Sequence, residues 1–153
     1  MELDQIDRRI LSALQENADL PNTGLADKVG LSASACLRRV ARLKESGVIR
    51  RIVALIDPGH LDRRLSAVVT VTMERHGPEF RRDFIKHVRT EPAVSQCYMV
   101  AGDVSCILVV HVVDMEEYTA LADRLFHADS NVKAFTTHLV MTTMKLETSL
   151  AVE

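Results

Sequence analysis

The apolar positions of the first 50 residues recur with the 3.6-residue period of α-helices, which predicts three short helices. Asp4 can cap the first. The second opens at Pro21 and ends at Gly30, because glycine accepts the left-handed backbone of a tight turn. Ser32 can cap the third helix, which ends at Gly47. Three short helices with a glycine turn before the third predict a helix-turn-helix, whose last helix presents side chains to the major groove.

From Val48 the period changes to two. The β-branched stretch 49–56 predicts a strand that ends at the turn Asp57-Pro58-Gly59. The elements predicted beyond it are a strand at 65–74, a helix at 78–89, strands at 94–100 and 105–113, a helix capped by Asp114, and a strand at 132–145. This βαββαβ order predicts an α+β fold, an antiparallel ferredoxin-like sheet with both helices on one face.

A sheet with helices on one face leaves its other face open. We expect Val69, Val71 and Met73 to lie there with apolar residues of the last strand, which would expose a large apolar patch. A second subunit would cover this patch, so the pattern predicts a homo-oligomer. The predicted boundaries are 1–50 for the DNA-binding domain, 51–64 for a strand and linker, and 65–153 for the ferredoxin-like domain.

Charge is distributed unevenly along the chain. The formal net charge of the 153 residues is −2, but residues 28–64 carry +6, and the stretches on either side carry −4 each. A local basic segment in an acidic protein indicates a surface for a polyanion rather than indiscriminate coating of nucleic acid.

Several classes of protein are excluded by composition. The three cysteines have no CxxC spacing, which argues against a disulfide framework or a zinc site and fits a cytoplasmic location. No segment has the length of a secretory signal or membrane span. The six histidines show no HExxH pattern and no serine lies in a GxSxG context, so we expect no enzyme, no cofactor and no metal.

The third helix and the residues after it carry the predicted DNA contacts. Guanidinium groups pair with guanine or phosphate, and hydroxyl groups at a helix start donate to phosphate where the helix dipole attracts anions. The residues predicted to contact DNA are Ser32, Ser34, Arg38, Arg39, Arg42, Arg50 and Arg51, the last two as part of a wing. A merely solvated basic helix is the competing interpretation.

The chain resembles the Lrp/AsnC, or feast/famine, transcription regulators. The motifs that carry the resemblance are Leu25-Ala26, Val29-Gly30-Leu31-Ser32, Cys36-Leu37-Arg38-Arg39-Val40, Arg42-Leu43, Gly47-Val48-Ile49, Asp57-Pro58, Leu61, Gly102-Asp103 and Asp114-Met115. The resemblance implies a winged helix-turn-helix joined to a βαββαβ ligand-binding domain, called RAM in that family. It also implies dimers that often assemble into octamers, bind promoter DNA and respond to amino acids or related metabolites. Where relatives commonly have Ser and Glu in the second helix, this chain has Pro21 and Gly24.

The effector site is predicted largely by the same resemblance. The Gly102-Asp103 turn offers backbone N–H groups to a carboxylate, and the positions implied to line the pocket with it are Ser105, Met115, His138, Leu139 and Val140. Many relatives carry an acid at position 105, suited to the ammonium group of an amino acid. The neutral Ser105 hydroxyl therefore predicts weaker binding of simple aliphatic amino acids than in relatives with the acid, or preference for a ligand without a free amine.

The sequence is thus interpreted as a transcriptional regulator that binds double-stranded DNA and whose assembly responds to a small metabolite. The alternative is a ferredoxin-like metabolite sensor whose helical part contacts protein rather than DNA. Salt-dependent DNA binding distinguishes the two.

Overall fold

The structure, a computed structural model, describes residues 2–129 and 131–152. They form two compact units, one of residues 2–55 with 144–152 and the other of residues 56–129 with 131–143. Residues 144–152 therefore group with the first unit, whereas the sequence analysis assigned them to the second domain. The amide of Gln15 accounts for part of this difference: its Nε2 donates to the carbonyl of Leu150 at 2.9 Å, and its Oε1 accepts from the Leu150 N–H at 2.6 Å.

The first unit contains three helices, α1 (Gln5–Glu16), α2 (Asn22–Val29) and α3 (Ala33–Glu45). Their apolar sides meet in one small core, whose buried members are Ile10, Ala13, Leu25, Ala26, Val29, Cys36 and Leu43. This arrangement confirms the three helices that the 3.6-residue period predicts. Leu37 is an exception: it lies outside the core with 59% of its surface exposed.

The predicted roles of Asp4, Gly30 and Ser32 at helix ends are confirmed, whereas α3 ends at Glu45, two residues before the predicted Gly47. The Asp4 carboxylate accepts from the Asp7 N–H at 2.8 Å at the start of α1. Gly30 follows α2 with φ +73°, in the left-handed region that favours glycine. The Ser32 hydroxyl accepts from the Ala35 N–H at 3.3 Å at the start of α3. The turn and caps orient α2 and α3 relative to each other within this unit.

The strand predicted at 49–56 is absent from the described chain. Ile52, Val53, Leu55 and Ile56 are 48–66% exposed, and the four-stranded sheet does not include them. The sequence prediction failed here because β-branched residues define a strand only where another strand supplies hydrogen bonds, and within one described chain none lies beside this segment. Arg50 and Arg51 therefore lie on a segment without strand pairing in the described chain, not on a paired wing.

The second unit is an antiparallel sheet with strand order β2-β3-β1-β4. A short 3₁₀ turn (Pro58–Leu61) leads into the elements β1 (Leu65–Met73), α4 (Pro78–Thr90), β2 (Val94–Met99), β3 (Cys106–Val112), α5 (Met115–Ala122) and β4 (Val132–Leu139), with a π-helical turn (Asp123–His127) after α5. The βαββαβ order and the α+β, ferredoxin-like fold are confirmed.

The two faces of the sheet are the reverse of the prediction for β1. Val69, Val71 and Met73 are buried in the core that also contains Phe84 of α4 and Leu121 of α5. The positions between them are only half-buried, and with their partners on β3 they form the open face: Ser66, Val68, Thr70, Thr72, Ile107, Val109 and His111. In the sequence, Ser66, Thr70 and Thr72 alternate with Val69, Val71 and Met73. This alternation was the signal that indicated which side of β1 faces the core.

The last strand is shorter than predicted. It ends at Leu139, which pairs with Ala67, and the Val140 N–H donates to the carbonyl of Ser66 at 2.8 Å. Because β1 begins at Leu65, the residues after Val140 have no strand beside them, and pairing stops there. The prediction that the strand continues to Lys145 is therefore wrong.

Candidate DNA-binding surface and effector loop

The amino end of α3 is accessible. Ser32 and Ser34 are exposed, and their hydroxyl oxygens lie 3.3 Å apart. Since the first N–H groups of a helix point outward along its axis, this end has free donors and a positive dipole end together with two hydroxyl groups. The arrangement is chemically suited to a phosphate.

Two of the predicted DNA-contacting arginines are engaged inside the protein. Arg39 Nη1 donates to Asp4 Oδ2 at 2.6 Å and to Asp7 Oδ1 at 2.9 Å, and Arg42 Nη2 donates to Asp7 Oδ2 at 2.6 Å. The Asp7 carboxylate is completely buried, whereas the Arg42 side chain remains 50% exposed. Arg39, at 28% exposure, belongs to a network that joins α1 to α3, which argues against a direct DNA contact by this residue.

The same network shifts two pKa values. The Asp7 N–H, and then the Arg39 guanidinium, lower the pKa of the Asp4 carboxyl. The hydrogen bonds from Arg39 to Asp4 and Asp7 raise the pKa of the Arg39 guanidinium further above its ordinary value. Both shifts favour the charged forms of Asp4 and Arg39, which form an ion pair between the start of α1 and α3. Sequence reasoning gave Asp7 no structural role, although its place three residues after the Asp4 cap is a capping-box position.

Arg38 differs from its neighbours on α3. It is exposed, and within residues 2–129 and 131–152 no acid lies in ion-pair distance of it. Arg50 and Arg51 are likewise exposed, with no ion pair to the described part of the chain. The unpaired guanidinium groups of the first unit thus include Arg38 on the helix and two arginines just beyond it.

The predicted effector loop connects β2 to β3. Gly102 has φ +137°, a conformation that side-chain-bearing residues rarely adopt, and a Cβ there would meet no atom within 4 Å. The glycine is therefore required by the backbone angle and not by close packing. The Val100 N–H donates to the Ser105 carbonyl at 3.1 Å and closes the loop, while Asp103 is exposed.

Ser105 does not face the loop opening. It is 7% exposed, its hydroxyl accepts from the Met73 N–H at 2.9 Å, and its own N–H donates to the Val71 carbonyl at 2.8 Å. The hydroxyl thus satisfies the end of β1, where the strand pairing stops. Ser105 lies directly before β3 and is hydrogen-bonded to β1, so the geometry does not support its predicted role in meeting an ammonium group.

The remaining predicted effector residues lie at the other end of the sheet. Met115, Leu139 and Val140 are 38–49% exposed, and His138 is exposed on the open face, paired with Val68. The β1 register places Cys106, next to the loop, opposite Val71, and Leu139 opposite Ala67. Those positions are four residues apart on one strand, about 13 Å. One chain therefore does not bring the loop and the other predicted residues together.

Sequence reasoning missed a polar cluster at this second end. His111 Nδ1 and the Ser66 hydroxyl are 2.8 Å apart on the open face, and Arg63 donates to the His111 carbonyl at 2.9 Å. Burial, and then the nearby Arg63 charge, lower the pKa of His111. A serine and a histidine on neighbouring predicted strands were the available signal, but without the register they could not be paired.

Comparison with known proteins agrees with the two units. A family model described as winged helix-turn-helix DNA-binding matches residues 3–50, and one described as the Lrp/AsnC ligand binding domain matches residues 66–150. The HTH-type transcriptional regulator AldR of Mycolicibacterium smegmatis is 40% identical over 139 residues, 91% of this chain and 81% of the relative. An uncharacterized HTH-type transcriptional regulator of Sinorhizobium fredii is 38% identical over 153 residues, 100% of this chain and 90% of the relative.

A solved structure extends the comparison. The crystal structure of a transcriptional regulator from Neisseria meningitidis in complex with L-Met superposes with a TM-score of 0.90 at 32% identity, covering 98% of this chain and 97% of that one. A helix-turn-helix joined to a ferredoxin-like ligand-binding domain defines a metabolite-responsive DNA-binding regulator, not an enzyme. The chain belongs to the Lrp/AsnC family of transcriptional regulators.

No helix within residues 2–129 and 131–152 is long and apolar enough to cross a bilayer. No group of three or more His, Cys, Asp or Glu side chains in that part of the chain is arranged to hold a metal ion.

Proposed function

We propose that the chain reads its operator through α3, with Arg38 as the principal base contact, Ser32 and Ser34 on phosphate, and Arg50 and Arg51 on the flanking phosphates. The observation that supports this assignment is the contrast between Arg38, which is exposed and unpaired, and Arg39, which is held by two carboxylates. Arg42 occupies an intermediate position, because one of its nitrogens is bound to Asp7 while half of its side chain faces solvent.

Matched charge-removing substitutions test this assignment. Arg38→Gln is compared with Arg9→Gln, which removes an exposed charge from α1. With the intergenic DNA upstream of the protein's own gene as the probe, Arg38→Gln should weaken specific binding about 10- to 100-fold, as expected for loss of a bidentate base contact. Arg50→Gln should lower the slope of log K against log salt by about 1. Equal affinity of the Arg38 and Arg9 variants would overturn the assignment.

We also propose that the effector is an amino acid or a related small carboxylate, bound between subunits. The Gly102-Asp103 loop of one chain would meet Met115, His138, Leu139 and Val140 of another. The separation of about 13 Å within one chain supports a composite site of this kind. The complex of the meningococcal relative with L-Met supports the class of ligand.

Subunit mixing tests the composite site. L-methionine should raise the Tm of the wild type. Asp103→Ala and His138→Ala each remove an exposed side chain, and each variant should lose this stabilisation without a change in its own Tm. Chains of the two variants co-expressed in one assembly form some sites with both halves intact, so the mixture should regain part of the stabilisation. A mixture that stays unresponsive would refute a site shared between chains.

We also propose an oligomeric state and a cellular location for the protein. A homodimer would form through the open face of the sheet, where Val68, Ile107 and Val109 remain half-buried in a single chain, and dimers would assemble further, as in an octamer. Effector bound between dimers would then alter which spaced half-sites are occupied together. The protein would act in the cytoplasm, where its DNA lies. Light scattering that finds a 17.1 kDa particle at micromolar concentration would contradict the assembly.

A further inference from the structure

The basic residues after position 64 fall into two groups. Four of them have partners: Arg75 lies over the Phe80 ring at 4.5 Å, and Arg124, Lys133 and Lys145 form ion pairs with Glu91, Glu74 and Glu147 at 3.0–3.4 Å. The other four form no ion pair with any described residue, and all lie on α4: Arg81, Arg82, Lys86 and Arg89. In the second unit Arg63 and Arg64 also form ion pairs, so its described arginines and lysines with neither an ion pair nor a ring contact are confined to α4.

The α4 residues form a continuous stripe. Arg82, Lys86 and Arg89 are exposed and follow one another at i, i+4 and i+7, so they share one side of the helix over about 10 Å. Half-buried Arg81 and Ile85 flank them and line a shallow surface groove with them. Asp83 lies a quarter turn away from this side, as the helical period requires. A Cβ on Gly77 would lie 2.7 Å from Glu79 Oε1, so the Glu79 carboxylate lies over the start of the helix.

The α4 stripe consists of Arg82, Lys86 and Arg89 with Arg81 beside them. Its chemistry favours an extended polyanion. The charges are spread along a convex helix and no deep pocket encloses them, so nothing selects a small anion. Cations that point into solvent without carboxylate partners retain their full attraction for phosphate, because no internal ion pair must be broken first. Duplex DNA carries one charge per about 1.7 Å of helix axis and is the polyanion that a transcriptional regulator meets.

We propose that the α4 stripe binds the phosphates of duplex DNA outside the bases read by α3, as a second and sequence-independent contact of the ligand-binding unit with DNA. The proposal rests on the DNA-binding function of the chain. It assigns to the ligand-binding unit a role in holding DNA that is separate from effector binding, since the stripe shares no residue with the predicted effector site.

Counterion release gives a direct test on the full-length protein. A variant with Arg82→Gln, Lys86→Gln and Arg89→Gln is compared with one carrying Arg64→Gln, Arg124→Gln and Lys133→Gln, which removes the same net charge from exposed residues in ion pairs of the same unit. Binding to a long duplex of arbitrary sequence is measured by fluorescence anisotropy between 50 and 200 mM salt.

The slope of log K against log salt should be about 2.7 smaller in magnitude for the α4 variant than for the wild type. Between 50 and 200 mM salt, the affinity of the wild type should therefore fall about 40-fold more than the affinity of the variant. The control variant should keep a slope close to that of the wild type. Equal slopes for the α4 variant and the wild type would refute the proposal while leaving DNA binding itself intact, and no binding by the wild type would refute both. A similar loss in both variants would show a net-charge effect and also refute it.

A contact between subunits is the competing role for the stripe. Sedimentation without DNA distinguishes it, because the α4 variant should assemble as the wild type does if the stripe serves DNA. A smaller assembly of the variant would instead assign the stripe to an interface between copies and overturn the proposal.

Discussion

Asp7→Asn is the most informative single substitution in the DNA-binding unit. Asp7 is completely buried, and its two carboxylate oxygens accept from Arg39 and Arg42 of α3 and from the Asp4 N–H. Asparagine keeps the shape and one acceptor oxygen, but it places an NH₂ group against one of the two guanidinium groups. The change therefore removes the charge of the α1–α3 network with little loss of volume.

The expected cost follows from the exposure of the partners. Breaking a buried ion pair by removing one partner costs about 3–5 kcal/mol when the other is left fully buried. Arg42 is 50% exposed and Arg39 is 28% exposed with Asp4 still beside it, so both partners regain water or keep a carboxylate. We therefore expect a loss of about 2 kcal/mol in the free energy of unfolding, which lowers the Tm of a unit of this size by roughly 8–16 °C.

Circular dichroism at the helix band, followed during thermal unfolding, measures the loss. Asp4→Asn is the matched control, since Asp4 is 51% exposed and asparagine is an equally good N-cap, so it should cost less than about 1 kcal/mol. A double-mutant cycle of Asp7→Asn with Arg42→Met should give a coupling energy of about 1–3 kcal/mol. The reasoning fails if Asp7→Asn unfolds at the wild-type temperature, or if Asp4→Asn is as costly as Asp7→Asn.

Three further substitutions probe other contacts. Gly24→Ala should stabilise the first unit by about 1 kcal/mol, because the new Cβ would meet Pro21 at an ordinary 3.7 Å; urea denaturation with an unchanged or lowered midpoint would contradict this. The lowered pKa of His111 means that the unfolded chain binds a proton at a higher pH than the folded chain, so this residue contributes stability above its ordinary pKa of 6.5 that is lost as the pH falls below it. The Tm of the wild type should therefore drop more between pH 7.5 and 5.5 than the Tm of His111→Gln, and parallel drops would refute the sign. Ser105→Asp should cost about 1–3 kcal/mol by burying a carboxylate at the Met73 N–H, whereas an unchanged Tm with tighter binding of amino acids would restore the prediction made from the sequence.

Local chemistry explains what the sequence predicted well. Asp4, Gly30 and Ser32 end or begin helices through contacts within three or four residues, so their roles are visible without knowledge of the fold. The βαββαβ order was predicted from the period of the hydrophobic positions alone, which is also a local property of the sequence. The family motifs span nearly the whole chain. They further implied that a DNA-binding unit is joined to a ligand-binding unit.

The features that the sequence did not predict depend on tertiary partners, such as the acid that pairs with an arginine or the strand that lies beside another. Arg39 and Arg38 are adjacent residues of one type, and only the position of Asp7 on another helix decides that the first is held inside and the second is free. Likewise, the β-branched stretch 49–56 has strand composition but no strand beside it within the described chain. Residue type states what a side chain can bind, whereas tertiary contacts decide what it does bind.

For the predicted effector residues, the missing partner would lie in another chain. Sequence motifs placed Gly102-Asp103 and His138 in one site, but the β1 register separates them by about 13 Å in a single chain. Both parts are exposed, and each lacks the other half of a pocket. A ligand that needs both must join two chains, and its binding free energy then contributes to the assembly of those chains. If the effector binds both parts, as we propose, the separation within one chain would let a small metabolite control the oligomer and thereby its DNA occupancy.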